Sequence, residues 1–294
     1  MRLFYLENES GDRKPLNNEA GVFLYLPEGL GVYYDDTYMD VGEGFFTRLK
    51  KAVSQRALSC KLCFIGNFPY QLYQEFIDWC IQSEKLYLIY KPRSIEYYRQ
   101  VSIESFSKSE INEHHYLESA TSLKFLTPWY LPTALSTQIE EVTDSAAIYN
   151  VSRYDVATYS GGVIGDQFSA EFAGNGHIPS SIFVRLSGQI SAISNLKLSL
   201  INKATGTTLG ECSLSTGFNP GETLEYSSEY SDSYVRKRSS NNEVSDIIDF
   251  VDVTKEPFFR VPVTGNYLLK IEGDNLQGSG AVITAFVYRY FKGV

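Results

Sequence analysis

FLTPWYLPT, residues 125–133, places one of the chain's two tryptophans between two prolines, at the end of a run rich in aromatic and β-branched residues. Pro128 removes a backbone hydrogen-bond donor from any sheet and Pro132 fixes a second φ angle, so a strand that reaches this stretch must end or leave its sheet. We predict that Trp129 and Tyr130 close the core of a first domain, in preference to forming an exposed binding pair.

The length and composition of the chain favour two β-rich domains. Its 294 residues exceed what one core usually holds, because single cores stop growing at roughly 250 residues. The 22 tyrosines and 18 phenylalanines supply ample apolar surface, and such aromatic enrichment favours strands over helices. We therefore predict a mainly β chain with a first domain at residues 1–131, a linker at 132–150 and a second domain at 151–294.

The net charge and the distribution of apolar residues argue against two classes of partner. Duplex nucleic acid is bound by clustered Lys and Arg, whereas this chain has a net charge of −9 and neither half is basic. No run approaches the roughly 20 apolar residues of a membrane span, and the opening MRLFYLENESGD lacks the apolar core of a signal peptide. We expect a soluble protein made in the cytoplasm, with neither nucleic acid nor a membrane as its partner.

One helix and several strands are predicted in the first domain. Pro69 suits a first helical turn, and the apolar residues that follow recur at helical spacing: Leu72, Tyr73, Phe76, Ile77, Trp79 and Cys80. The stretch GEGFFTRLKKAVSQ, residues 42–55, fits two structures, because its apolar spacing suits a helix while two strands with a loop fit equally. The neighbouring segments alternate as strands, which predicts a β-sandwich-like domain with one or two helices.

The cysteines invite a metal or redox interpretation, because Cys60 and Cys63 form the motif CKLC. In ALSCKLCFIG, however, the residues alternate as in a strand, so two cysteines three positions apart face opposite sides. Cys80 and Cys212 are isolated, whereas a metal site needs a second pair of ligands nearby. We predict four reduced, buried or half-buried thiols and no metal site.

The second half of the chain alternates as short strands, with turn signals roughly every 8 to 12 residues. NLKLSLIN alternates cleanly, GETLEYSSEYSDSYVRKRSS has the pattern of a hairpin, and AVITAFVYRYF predicts a long closing strand. About nine such strands indicate a sandwich or jelly roll. Residues 132–150 lack a sustained period, which suits a connection between domains.

The familiar catalytic and phosphate-binding motifs are missing from the sequence. His114 and His115 are neighbours that point apart on an extended chain, and His177 lies in a turn-rich loop. The carboxylate pairs Asp35–Asp36 and Glu140–Glu141 are sequence neighbours, whereas glycosidase carboxylates come from separate elements. We therefore predict no catalytic residue, no cofactor and no enzymatic activity.

Three tyrosines set among polar residues leave a glycan-binding interpretation open. Jelly rolls often stack sugars on exposed aromatic rings, and Tyr226, Tyr230 and Tyr234 could supply such rings. Evenly spaced tyrosines also line the packed face of a sheet, and we favour that packing interpretation. A lectin-like host-recognition module remains the alternative function.

The order of several segments resembles the distal tail proteins of siphophages, often called Dit. In the first half the segments are FIGNFPYQLYQEFIDW (64–79), LYLIYKP (86–92), YYRQVSIESFSKSEI (97–111) and LKFLTPWY (123–130). In the second half EFAGNGHIPSSIFVRLSG (171–188), GETLEYSSE (221–229) and PFFRVPVTGNYLLKIEG (257–273) resemble the galectin-like domain of that family. The resemblance rests on aromatic and turn residues and not on catalytic signatures.

What the resemblance implies is a structural protein of the virion tail. The N-terminal domains of six copies would form a ring at the distal end of the tail, and the galectin-like C-terminal domains would project outward. The implied partners are further copies of the chain, the tail tube protein, the tail-associated hub protein and receptor-binding proteins. Assembly would take place in the cytoplasm of the bacterial host.

Overall fold

The computed structural model of this chain describes residues 2–111, 115–135, 138–143, 163–276 and 278–293, with the backbone alone at 138–143 and 163–166. Over this part of the chain the protein is mainly β, with antiparallel sheets and a single α-helix. None of the helical residues described forms a helix long and apolar enough to cross a membrane.

Twelve of the described strands and the helix begin before residue 131. They are β1 (Leu3–Asn8), β2 (Arg13–Pro15), β3 (Val22–Glu28), β4 (Tyr33–Tyr34), β5 (Thr37–Gly42), β6 (Phe45–Lys50), β7 (Val53–Ser54), β8 (Leu58–Ile65), α1 (Pro69–Gln82), β9 (Leu86–Lys91), β10 (Tyr97–Lys108), β11 (Tyr116–Phe125) and β12 (Trp129–Ala134). The later strands are β13 (Gln138–Thr143), β14 (Val163–Ala173), β15 (Ile178–Ser187), β16 (Ser194–Asn202), β17 (Thr208–Ser213), β18 (Thr223–Ser228), β19 (Ser233–Arg238), β20 (Val244–Asp246), β21 (Asn266–Asp274) and β22 (Val282–Phe291), with one turn of 3-10 helix at Ile248–Phe250.

The chain folds as two compact units. The first unit is Met1–Leu131 together with Tyr290–Val294, and the second is Pro132–Arg289. The second unit is therefore inserted in sequence between two segments of the first. Its boundaries fall within β12 and within β22.

Part of the segment 132–150, for which a linker is predicted, lies in strands. β12 continues to Ala134, and β13 covers Gln138–Thr143. The remaining residues, 144–150, lie outside the described part of the chain. The alternation of apolar and polar residues in these strands is too short to be recognised in the sequence.

The first unit is built around β10, which pairs with two sets of strands. Its first half pairs with β9, which continues to β1 and β2, and its second half pairs with β11, which continues to β8 and β3. Alternate residues of these strands enter one buried core, which includes Leu6, Leu24, Leu62, Leu88 and Leu117. β10 and β11 are neighbours in the sequence and pair in antiparallel orientation, as the strands of a hairpin do.

Helix α1 confirms the helix predicted after the CKLC strand. Pro69 stands in its first turn, where a backbone N–H would have no acceptor within the helix. The proline therefore costs the helix no hydrogen bond. Its buried face packs on the sheet, since the Phe76 ring lies 5.6 Å from the ring of Phe64 on β8. The helix ends at Ser83, whose backbone is extended and whose hydroxyl donates to the Trp79 carbonyl at 2.8 Å.

Trp129 is fully buried, which confirms that it packs in the core of the first unit. β11 ends at Phe125 and β12 begins at Trp129, on either side of Pro128. The indole lies 5.9 Å from the ring of Tyr90 and 6.0 Å from the ring of Phe125. Tyr130, the second member of the predicted pair, is only partly buried.

The second unit consists of two antiparallel sheets that share one core. One sheet has the strand order β13-β14-β21-β16-β17, and the other has the order β22-β15-β18-β19-β20. Every second residue of the inner strands is buried, for example Leu198 and Leu200 on β16 and Val184 and Leu186 on β15. The sheets therefore bury one apolar face each, as strand periodicity requires.

Candidate functional site

The hairpin formed by β5 and β6 stands apart because every residue from Thr37 to Lys50 is exposed. We call Thr37–Lys50 the exposed hairpin. Met39 pairs with Thr47 across it, and among the described strands β5 and β6 pair only with each other. The stretch 42–55 contains the strands β6 and β7, so of the two structures that its sequence fits it forms two strands with a loop.

The tip of the exposed hairpin explains why this stretch does not continue as a helix. Gly42, Glu43 and Gly44 have φ angles of +99°, +52° and +80°, and two of these three left-handed positions are glycines, which adopt them without strain. The Gly42 N–H donates to Asp40 Oδ1 at 2.8 Å, which fixes the start of the turn. The chain therefore reverses before Phe45.

Both faces of the exposed hairpin carry large apolar side chains. Its large apolar side chains are Tyr38, Met39, Val41, Phe45, Phe46 and Leu49. Strand alternation and the pairing register place Met39 with Phe45 on one face and Tyr38 with Phe46 on the other. Phe45 is 69% exposed, the most of the six. An isolated two-stranded hairpin is marginally stable in water, and its exposed apolar side chains make it a candidate surface for binding another protein.

Polar contacts at the base hold the exposed hairpin in position. Asp36 accepts a hydrogen bond from the Ala52 N–H at 3.1 Å and one from Arg48 Nη1 at 3.3 Å. The Arg56 guanidinium lies 4.4 Å from the centroid of the Tyr33 ring, next to the short β4–β7 pair. The hairpin is thus anchored at its base, while its apolar side chains are exposed to solvent.

The four cysteines are free thiols, and their positions do not form a metal or redox site. Cys60 lies in the core of the first unit and Cys63 lies on the opposite face of β8, as strand alternation predicts. Burial raises the pKa of Cys60, Cys80 and Cys212 to about 12, so these thiols stay protonated near neutrality. In the described residues no group of three or more His, Cys, Asp or Glu could hold a metal ion.

The three tyrosines of the β18–β19 hairpin do not form one stacking platform. Tyr226 is 0% exposed and its hydroxyl donates to the Pro257 carbonyl at 3.0 Å. Tyr234 pairs with Ser227 and thus lies on the other face of the sheet, while Tyr230 lies in the turn and is 52% exposed. Glycan binding by the second unit stays a prediction, without these three side chains as its platform.

The histidines and carboxylate pairs named in the sequence are not brought together. His115 and His177 are exposed in separate units, and His114 lies outside the described residues. Asp36 accepts hydrogen bonds at the base of the exposed hairpin. Glu140 and Glu141 lie on β13, where the backbone alone is described.

The exposed hairpin is a candidate functional feature to which the sequence alone assigned no role. A signal was present, because Gly42-Glu43-Gly44 between two apolar runs is typical of a hairpin turn. The exposure of its aromatic residues could not be deduced, since the same residue types fill the cores of both units.

Comparison with known proteins finds a family model that is similar to the N-terminal part of the chain. Residues 3–126 match the family model described as "Distal tail protein, N-terminal domain". No curated protein matches the chain in sequence.

The fold is similar to two solved tail structures along nearly the whole chain. A chain of the phage P2 baseplate, in its activated conformation with Ca, has a TM-score of 0.70 at 12% identity, with 100% of both chains covered. The SPP1 Dit (gp 19.1) protein has a TM-score of 0.54 at 9% identity, with 97% of this chain and 98% of that one covered. At such identities the likeness concerns the fold, and it extends beyond the residues that the family model matches. Residues 3–126 are thus similar to the N-terminal domain of distal tail proteins, and the fold of the chain is similar to the folds of these two tail structures.

Proposed function

We propose that this chain forms the hub of the distal tail, as a hexameric ring that joins the tail tube to the baseplate at the tail tip. The proposal is supported by the family match of residues 3–126 and by a fold shared with a P2 baseplate chain over its full length. It is further supported by the similar fold of SPP1 Dit, which is described as a paradigm of a hub adsorption apparatus. The role is architectural and involves no catalysis.

The exposed hairpin is the observation that carries the proposal. A closed ring of identical copies uses a heterologous interface, in which each copy offers one surface and receives a different one. The hairpin is an apolar, projecting element with two strand edges that are open among the described residues. Such edges favour association with another protein chain, and soluble proteins normally shield them.

The partners follow from the geometry of a ring. A ring of rotated copies has two different faces, so it can bind a different protein on each face. We assign the tail tube protein to one face and the tail-associated hub protein to the other. The second unit, which we infer to be a galectin-like β-sandwich because two antiparallel sheets share its core, is the attachment site for receptor-binding proteins.

The test is the mass of the assembly, measured by native mass spectrometry and by negative-stain microscopy of the full chain. Six-fold rings are expected for the unchanged protein. The double substitution Phe45→Asp and Phe46→Asp should weaken assembly about 100-fold or more, because it places charge in a buried apolar contact.

The matched control is Ile81→Asp on helix α1. Ile81 is 74% exposed, so it matches the hairpin residues in apolar character and exposure but belongs to another element. Rings that persist in this variant and disappear in the hairpin variant support the proposal. Rings that are equally stable in both variants, or a stoichiometry other than six, contradict it.

A further inference from the structure

The outward face of β15, β18 and β19 in the second unit concentrates arginine. Val184, Tyr226 and Val235 enter the core of the unit, so the residues that alternate with them on these strands face outward. We call this surface the arginine face, and its members are Phe183, Arg185, Glu225, Tyr234, Arg236 and Arg238. Three of the six are cationic, in a chain whose net charge is −9.

The pairing register arranges the arginine face in two rows across the strands. The first row is Phe183, Ser227 and Tyr234, and the second is Arg185, Glu225 and Arg236. Arg238 follows Arg236 by two positions on β19 and therefore shares its face. In the first row two aromatic rings stand on either side of a serine. One end of the face is thus aromatic and the other is cationic.

The carboxylate of Glu225 is buried and is shared by two arginines. Its side chain is 9% exposed, and its Oε1 lies 2.5 Å from Arg185 Nη2 and 4.0 Å from Arg238 Nη2. Within the described part of the chain neither arginine has another ion pair. One carboxylate balances only one of the two guanidinium groups, so these three residues together keep one positive charge in surplus.

Arg236 differs from the other two arginines because its charge is balanced nearby. Its guanidinium carbon lies 4.0 Å from the centroid of the Tyr234 ring, and its Nη2 lies 3.6 Å from Asp232 Oδ1. Asp246, opposite Arg236 on β20, accepts a hydrogen bond from the Ile248 N–H at 3.0 Å. Arg236 and Tyr234 thus place two planar groups against each other beside the surplus charge.

We propose that the arginine face binds a saccharide whose sugar ring carries a carboxylate, as in a uronic acid. The apolar C–H groups of a sugar pack on aromatic rings, and a carboxylate accepts two parallel hydrogen bonds from a guanidinium. The face offers both, in the half-buried rings of Phe183 and Tyr234 and in the Arg238 side chain, which is 38% exposed. A single tyrosine of the β18–β19 hairpin contributes, and not a platform of three. The inference goes beyond the proposed ring, because it concerns the second unit alone.

The surplus charge and the strand pairing favour this ligand over two others. A phosphate monoester carries a charge of about −1.5 to −2 at neutral pH, whereas the arginine face has one positive charge in surplus. An acidic peptide gains much of its affinity by adding a strand to an open sheet edge, but β18 is paired on both sides, with β15 and β19. Side chains alone are therefore available for binding, and they suit one carboxylate on a ring.

Isothermal titration calorimetry of the full chain with tetragalacturonate tests the proposal. Saturable binding is expected, and the Arg238→Gln variant should bind about tenfold or more weakly, because it loses a charge-assisted pair of hydrogen bonds. The methyl ester of the same tetrasaccharide should lose affinity to a similar extent, since it keeps the sugar rings without the charged carboxylates. Arg185 stays unchanged in every variant, because its removal would leave the buried Glu225 without its closest cation.

The matched control is Arg93→Gln, which removes an exposed arginine of the first unit and should bind as the unchanged chain does. Circular dichroism verifies that both variants are folded. The proposal is overturned if tetragalacturonate does not bind, or if the two variants bind it equally. Equal affinity for the methyl ester would show that the carboxylate is not recognised. Hexaglutamate that binds as tightly as tetragalacturonate would identify an acidic peptide as the ligand instead. The masses of the rings are measured separately, so none of these outcomes decides the proposed function.

Discussion

Two aromatic hairpins of this chain have opposite environments. The exposed hairpin, Thr37–Lys50, has no buried residue, whereas in the hairpin of β18 and β19 five of the six residues of β18 are buried. Both are rich in Tyr or Phe, and both carry basic residues in the last part of their second strand. Aromatic content alone therefore does not determine burial.

The difference lies in the neighbouring strands. β18 pairs with β15 on one side and with β19 on the other, so Tyr226 faces a second sheet and enters the core of the second unit. β5 and β6 pair only with each other among the described strands. The β18–β19 hairpin thus packs its aromatic residues within its own unit, whereas the exposed hairpin of the first unit leaves them open to solvent.

The largest expected effect is on the buried hairpin. Tyr226→Ala should lower the free energy of unfolding by about 3 to 5 kcal/mol, because it leaves a cavity in a fully buried site. Chemical denaturation followed by circular dichroism measures it. Tyr226→Phe is the matched control, and it should cost only about 1 kcal/mol, for the hydrogen bond to Pro257. Equal losses in both variants would show that packing of the ring is not the main contribution.

The second effect concerns a residue that follows the second unit in sequence but belongs to the first. The Phe291 ring meets the Tyr97 ring edge-on at 5.8 Å and packs against the core of the first unit. Phe291→Ala should cost about 2 kcal/mol, less than a fully buried phenylalanine, because the ring is partly buried. Hydrogen exchange should accelerate in β9 and β10 but not in β16. Uniform acceleration in both units would contradict this assignment.

The third effect depends on pH. Because burial raises the thiol pKa of Cys212 from 9.0 to about 12, the unfolded chain loses this proton at a lower pH than the folded chain. The resulting stability is fully present below pH 9 and is lost progressively as the pH rises toward 12. Between pH 8 and pH 10 the change per thiol should be about 1.4 kcal/mol. Over this range the free energy of unfolding of the Cys212→Ala variant should fall by less than that of the unchanged chain. Identical pH profiles of the two proteins would contradict the prediction.

The smallest expected effect is on the exposed hairpin. Phe45→Ala combined with Phe46→Ala should change the free energy of unfolding by less than about 0.5 kcal/mol when measured on the monomer, because neither ring is buried there. The same two rings should stabilise the assembly. The double substitution therefore separates an effect on association from an effect on folding. A loss of stability as large as that of Tyr226→Ala would show that the hairpin packs within its own chain.

The elements that could be predicted from the sequence are those with strong local signals. Helix α1 follows from Pro69 and its apolar stripe, and the end of β11 follows from Pro128. The stretch 42–55 fitted both a helix and strands, because the spacing of its apolar residues satisfies both periods. What decided between them is a turn with three left-handed residues, which is a feature of the backbone.

The candidate interaction surfaces could not be predicted, for a different reason. Phe23 lies opposite Cys63 only because the register of β3 and β8 aligns them, and that register is set by the whole sheet. The exposure of Phe45 is likewise decided by the absence of a neighbouring strand in the described structure. Neither arrangement can be deduced from the local sequence.

The insertion of the second unit between two segments of the first has a consequence for biosynthesis. A ribosome completes residues 1–131 first, yet Tyr290 and Phe291 emerge only after residues 132–289, roughly 10 to 30 s later at typical elongation rates. During that interval the first unit lacks the rings that pack against Tyr97 and Tyr130. Translation thus delays the final form of the first unit until the whole second unit has been made.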